Sequence, residues 1–140
     1  MHTTDIYIFS TGFYLEPHLF PFPRGSTGSV LDTSKLFLGP FCGKPACQYI
    51  NITSLGRGVC ADAYLRKKTV LVEEVESYPG HIACDGDTKS EIVCPLIRDD
   101  GSGDVVGVLD LDCLGVGGFN TDDQAGLEKI CELVVSACDW

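Results

Sequence analysis

Apolar and polar positions alternate in short stretches along this chain, and most stretches end at Gly, Pro or a cluster of small polar residues. Residues 5–15 are rich in Ile, Tyr and Phe, which predicts a strand with Gly12 as a bulge. Residues 16–34 break the pattern with Pro17, Pro21, Pro23, Gly25 and Gly28, predicting a long hairpin loop, after which pairing resumes over 35–38. Gly39 and Pro40 are expected to turn the chain, and 47–52 to run extended with Tyr49 packed. Gly56-Arg57-Gly58 leads into a helix over 59–67, where Val59, Ala63 and Tyr64 share a face. A strand follows over 69–75. The Pro79-Gly80 pair and later Gly/Asp turns place His81 to Cys84 on a loop. Residues 90–97 and 105–112 read as two strands joined by Asp99-Asp100-Gly101-Ser102-Gly103. The last element is a helix over 122–138. Thr121 and Gln124 are its expected capping pair, and Leu127, Ile130, Cys131, Val134 and Cys138 form its apolar stripe. Strands grouped around one short helix, with a helix closing the chain, describe an α+β sheet domain without internal repeats.

At 140 residues and 44% hydrophobic, the chain has room for one domain over 1–140. No apolar run approaches the roughly 18 to 20 residues of a membrane span. The formal charge of −10 disfavours a nucleic-acid partner, whose affinity would rest on basic side chains. Eight cysteines in 140 residues fall below the density of disulfide scaffolds. The start of the chain shows no basic segment followed by an apolar one, so a reducing, cytoplasmic setting is expected.

Side chains alternate across a strand, so Asp110 and Asp112 share one face while Leu109 and Leu111 take the other. If the neighbouring strand sets Glu91 on the same side, three acids converge. They are then either solvated surface charges or a site for a small cation or an ammonium group. Cys84, in a turn-rich loop near His81, is the cysteine best placed to react. Nearby carboxylates would work against its thiolate, so it is either a catalyst helped by other groups or a buried thiol. Cys47 and Cys60 flank the Gly56-Arg57-Gly58 loop. Cys60 sits in the first turn of a helix, where the dipole favours a thiolate, and either residue could resolve an oxidised partner or simply pack in the core. Cys131, Cys138 and Cys94 read as core, whereas Cys42 and Cys113 are not assigned. No CxxC pair supports structural zinc, and no metal is expected. No phosphate-cradling loop is present either, and Gly115-Val116-Gly117-Gly118 lacks the full dinucleotide pattern.

Five segments then occur in one order: Gly39-Pro40-Phe41-x-Gly43-Lys44-x-Ala46-Cys47, Gly56-Arg57-Gly58-Val59-Cys60, Pro79-Gly80-His81-Ile82-Ala83-Cys84-Asp85, Ser90-Glu91-Ile92-Val93, and Gly107-Val108-Leu109-Asp110-Leu111-Asp112. Together they resemble the free methionine-(R)-sulfoxide reductases, a branch of the GAF-domain proteins. The resemblance implies a GAF-like α+β fold, a central antiparallel sheet flanked by helices. Family members usually carry helical sequence before the first strand, and this chain is expected to lack that N-terminal helix. An aromatic that the family commonly carries two residues before Gly12 is Ser10 here. The resemblance also implies reduction of free L-methionine (R)-S-oxide to L-methionine, a reaction of the oxidative stress response. Cys84 would be the nucleophile, and Cys47 and Cys60 would act in disulfide exchange. Glu91, Asp110, Asp112 and Tyr14 would line the substrate pocket. No bound cofactor is implied, since electrons would come from thioredoxin, kept reduced by NADPH through thioredoxin reductase. A homodimer is expected by the same analogy. An acidic pocket would select a free amino acid by its ammonium. The alternative is a catalytically inactive GAF module that binds a small ligand.

Overall fold

The computed structural model describes residues 8–21, 31–44, 47–56, 58–80 and 86–140. Six strands form one antiparallel sheet: β1 (Ile8–Leu15), β2 (Lys35–Gly43), β3 (Tyr49–Asn51), β4 (Val70–Val72), β5 (Ser90–Ile97) and β6 (Val105–Cys113). Their order across the sheet is β3-β2-β1-β6-β5-β4, which puts β1 and β6 at its centre. Two helices complete the fold, α1 (Val59–Arg66) and α2 (Thr121–Ala137), with 3-10 turns at Pro17–Leu19 and Val75–Ser77.

Strand alternation sorts the apolar residues into two cores. On one face Tyr14, Leu36, Leu38, Val93 and Val108 pack with Val59, Cys60, Ala61 and Ala63 of α1. On the other, Ile92, Cys94, Leu96, Val106, Leu109 and Leu111 pack with Cys131 and Val135 of α2. Consecutive strand residues therefore serve different helices, as the period of two requires. The thiols of Cys94 and Cys131 hydrogen-bond across the second core.

The sequence reading needs correction at several points. Gly39 and Pro40 do not turn the chain, because β2 runs through them to Gly43. Between Gly12 and Tyr14 β1 advances two residues while β2 advances three, from Phe41 to Leu38. The extra residue is a bulge at Gly39 and Pro40, lying beyond the Lys35 to Phe37 stretch that pairs with β3, so the missing proline N–H costs no ladder bond there. Gly12 is therefore not itself the bulged residue: the register shifts between Gly12 and Tyr14, and the additional residue is on the partner strand. Tyr49 is exposed rather than packed in the core, its ring 6.4 Å from that of Phe37 and 4.8 Å below the Lys35 ammonium. The strand expected over 69–75 is only Val70–Val72, because Val75 begins a 3-10 turn. Helix α2 is capped one residue earlier than expected, by Asn120 and Asp123: the Asn120 side chain accepts from the Asp123 N–H at 3.0 Å, and the Asp123 carboxylate accepts from the Asn120 N–H at 2.9 Å. Finally, Cys138 is exposed at the C-terminal cap, and Ile130 also faces out, so the buried stripe of α2 is narrower than its sequence periodicity.

Candidate active site

Strand register decides the central question about the acids. Glu91 pairs with Asp112 and Val93 with Asp110 across β5 and β6, while Gly12 and Ser10 of β1 stand opposite Asp110 and Asp112. All three acids therefore lie on the α1 face, with Ile92, Leu109 and Leu111 turned to α2. Helix α1 closes over them. Its first turn brings in Cys60, and one ligand atom each from Cys60, Glu91 and Asp110 lie within 4.8 Å of one another. Glu91 is 6% exposed, which excludes the solvated-surface reading for this residue.

Burial in company changes the protonation of the whole cluster. The Glu91 carboxyl is pushed up to about 8, first by desolvation and then by the charge of Asp112, against a hydrogen bond with Asp110 that pulls it down. Two carboxyl groups can hydrogen-bond only with a proton between them, so Glu91 and Asp110 share one at neutral pH. The Cys60 thiol is pushed well above its ordinary value by burial, next by the charges of Asp110, Glu91 and Asp112, and by its hydrogen bond to Asp110. This reverses the expectation of a thiolate at the helix start. A helix dipole contributes roughly 0.3–1 kcal/mol, whereas burial of a charge costs several kcal/mol unless the group stays neutral. Cys60 is a neutral donor.

Tyr14 is 2% exposed, and its phenol donates to the Cys47 carbonyl at 2.9 Å. Desolvation is the largest cause holding this phenol protonated, with Cys60 and the three acids adding to it. The hydrogen bond ties Cys47 to the acid face. Cys47 is disulfide-bonded, whereas Cys42, Cys60, Cys94, Cys113, Cys131 and Cys138 are free. Cys84 and His81 lie outside the described residues.

Two further groups escaped the sequence reading. Asp62 is 2% exposed within α1 and accepts from the Gly56 N–H at 2.9 Å and the Tyr78 hydroxyl at 2.6 Å. The available signal was a charged residue inside the small apolar run Val59 to Ala63. Ser90, fully buried, donates to the Gly115 carbonyl at 2.6 Å and accepts from the Gly118 N–H at 3.0 Å, fixing the loop after β6. Among the described residues, Cys60, Glu91 and Asp110 are also close enough to hold a metal ion together. Their donors come from three separate elements, so no local spacing motif announces them. A metal would have to displace the protons these groups retain.

Residues 18–139 match the family model of the GAF domain. A free methionine-R-sulfoxide reductase of Saccharomyces cerevisiae is 50% identical over 107 residues, which are 76% of this chain and 57% of that protein. The solved structure of a free methionine-R-sulfoxide reductase from Neisseria meningitidis in complex with its substrate superposes with a TM-score of 0.76 at 34% identity, over 92% of this chain and 66% of that one. The reduced form of fRMsr of Staphylococcus aureus gives 0.71 at 37% identity, over 92% of this chain and 70% of that one. The chain spans 57 to 66% of the length of the curated relatives it matches.

Proposed function

Because the chain belongs to the GAF-domain family, in the branch of the free methionine-R-sulfoxide reductases, we propose that it reduces free L-methionine (R)-S-oxide to L-methionine. Asp112, Asp110 and Glu91 receive the substrate ammonium, and the proton held in the cluster goes to the sulfoxide oxygen as sulfur becomes electrophilic. The Cys84 sulfur attacks the sulfoxide sulfur. The S–O bond breaks, methionine leaves, and Cys84 is left as a sulfenic acid, so one thiol and one sulfoxide give one sulfenic acid and one thioether. A second thiol then displaces water from the sulfenic acid to form a disulfide. A dithiol, thioredoxin, reduces that disulfide and is itself oxidised, so no bound cofactor is required.

The observation that carries this reading is the buried acid Glu91 facing Asp110 and Asp112, with Tyr14 linking the same face to Cys47. A solvated patch would hold neither the proton nor the tyrosine. That Cys47 is engaged in a disulfide while Cys60 is free and neutral supports Cys47 as the thiol that exchanges with Cys84. Cys60 then serves as a hydrogen-bond donor to Asp110 within the pocket. The reading includes a reducing, cytoplasmic setting, supported by the six free cysteines, and a homodimer, for which exposed Ile130 and Leu133 of α2 offer an apolar contact.

The test couples NADPH oxidation to thioredoxin and thioredoxin reductase with each epimer of free methionine sulfoxide, using this chain, Cys84→Ser and Asp110→Asn. The R epimer should turn over in the unmodified chain, fall to background in Cys84→Ser, and drop at least tenfold in Asp110→Asn with the fold retained. Equal rates in the chain and Cys84→Ser would overturn Cys84 as the nucleophile, and no turnover above background in the unmodified chain would leave the ligand-binding GAF module.

A further inference from the structure

We propose that Asp62 and Tyr78 are positioning residues for this chemistry: the buried carboxylate of α1 pins the two chain segments that lead to the reacting groups, so the pair governs the rate of sulfur attack without binding the substrate. The inference rests on the proposed reductase reading.

Asp62 and Glu91 are the charged residues with buried side chains among those described, and they play opposite parts. Glu91 faces other acids, whereas each Asp62 oxygen receives a donor. Oδ1 accepts from the backbone of Gly56, two residues before the Gly58 that starts α1. Oδ2 accepts the Tyr78 hydroxyl at 2.6 Å, a short charge-assisted bond that contributes to holding the phenol up at about 12, behind burial as the largest cause. Tyr78 is three residues before His81.

Contact between the two segments is continued in their backbones. Gly56 and Gly80 both have positive φ, +80° and +75°, and a Cβ at Gly80 would lie 2.0 Å from the Gly56 carbonyl oxygen. The Val75 N–H donates to the Lys89 carbonyl at 2.9 Å, and the Lys89 N–H donates to the Cys113 carbonyl. Residues 78–80 are held in addition by Asp62 through Tyr78. Because Asp62 lies two residues after Cys60, whose thiol bonds Asp110, one helical turn references both the acid pocket and the entry to residue 81. Displacing a nucleophile by about 1 Å can cost on the order of 10²-fold in rate while leaving a separate binding pocket intact.

The experiment compares Tyr78→Phe, Asp62→Asn and the double variant with the unmodified chain. Tyr78→Phe should lower kcat for free methionine-R-sulfoxide roughly 10- to 100-fold with KM changed less than threefold. The double variant should be slower than Asp62→Asn by less than the effect of Tyr78→Phe alone, since the two side chains act through one shared bond. In the reduced protein without sulfoxide, iodoacetamide should alkylate Cys84 at least threefold faster in Tyr78→Phe, while exposed Cys42 reacts at the unmodified rate. An unchanged kcat, or a rise in KM with kcat intact, would overturn the inference. If the unmodified chain shows no turnover, the reductase reading fails by itself, and an unchanged Cys84 alkylation rate would then overturn the positioning role separately.

Discussion

Replacing Glu91 with glutamine keeps the side-chain shape and the ability to hydrogen-bond Asp110, but removes the ionisable proton. In the folded chain this carboxyl is pushed up from 4.5 to about 8 by burial and Asp112. A native value above the unfolded one means that the native state binds more protons between those limits. The stability this group confers is therefore complete below about pH 4.5 and is lost as pH rises through about 8. At about 1.4 kcal/mol per pH unit the interval is worth roughly 5 kcal/mol, and sharing of the proton with Asp110 lowers the expectation to roughly 3–5 kcal/mol. Against a typical total of about 5–15 kcal/mol, that decides whether the chain survives alkaline solution. Urea unfolding at pH 5 and pH 9 measures it. The unmodified chain should lose at least roughly 3–5 kcal/mol between the two, since Cys60 and Tyr14 add to the loss, and Glu91→Gln at least about 2 kcal/mol less, because it has no carboxyl there to ionise and removes one of the charges that raise both groups. Parallel losses would refute the assignment of Glu91 as a buried, proton-holding acid.

Gly107 pairs with Leu15 at the sheet centre, and a Cβ there would lie 2.3 Å from the Tyr14 carbonyl oxygen. Gly107→Ala should cost roughly 1–3 kcal/mol in urea unfolding by forcing β1 and β6 apart, and should shift the Tyr14 ring resonances. Cys60, neutral and buried, should react with a maleimide at pH 8 only as fast as the chain unfolds, whereas Cys42 reacts at once; peptide mass spectrometry separates the two. Leu96→Ala, at a fully buried position under α2, should cost roughly 2–5 kcal/mol by the same unfolding measurement.

The parts of the fold legible in the sequence are those where one local rule acts without competition. Residues 90–97 and 105–112 are short runs rich in Ile, Val and Leu joined by a Gly/Asp turn, and β5 and β6 follow those limits to within a residue. Helix α2 was visible because its apolar period runs through most of its length, although its cap was misplaced by one position, since Asn120, Thr121, Asp123 and Gln124 all carry plausible capping groups. The turn expected at Gly39-Pro40 failed for a tertiary reason. Pairing with β1 on one side continues past these residues, and a bulge absorbs the proline. No window along the chain contains that information, because the partner strand lies about 30 residues away.

The acid face was half legible for the same kind of reason. Alternation put Asp110 and Asp112 on one side, but only the pairing of Glu91 with Asp112 brings the third acid across from them, and only the approach of α1 takes the group out of water. Cys60 shows what that step is worth. Its position in the first helical turn was read correctly, and its charge state was not, because a dipole of tenths of a kcal/mol was weighed without the three carboxyl groups and the burial that outweigh it. Asp62 went unnoticed for the converse reason. A lone aspartate in a helix reads as a solvated residue until its two acceptor atoms meet Gly56 and Tyr78, 6 and 16 residues away. Residues that bear chemistry by virtue of type are visible in a sequence, while those that act by holding other segments become visible only once the segments meet.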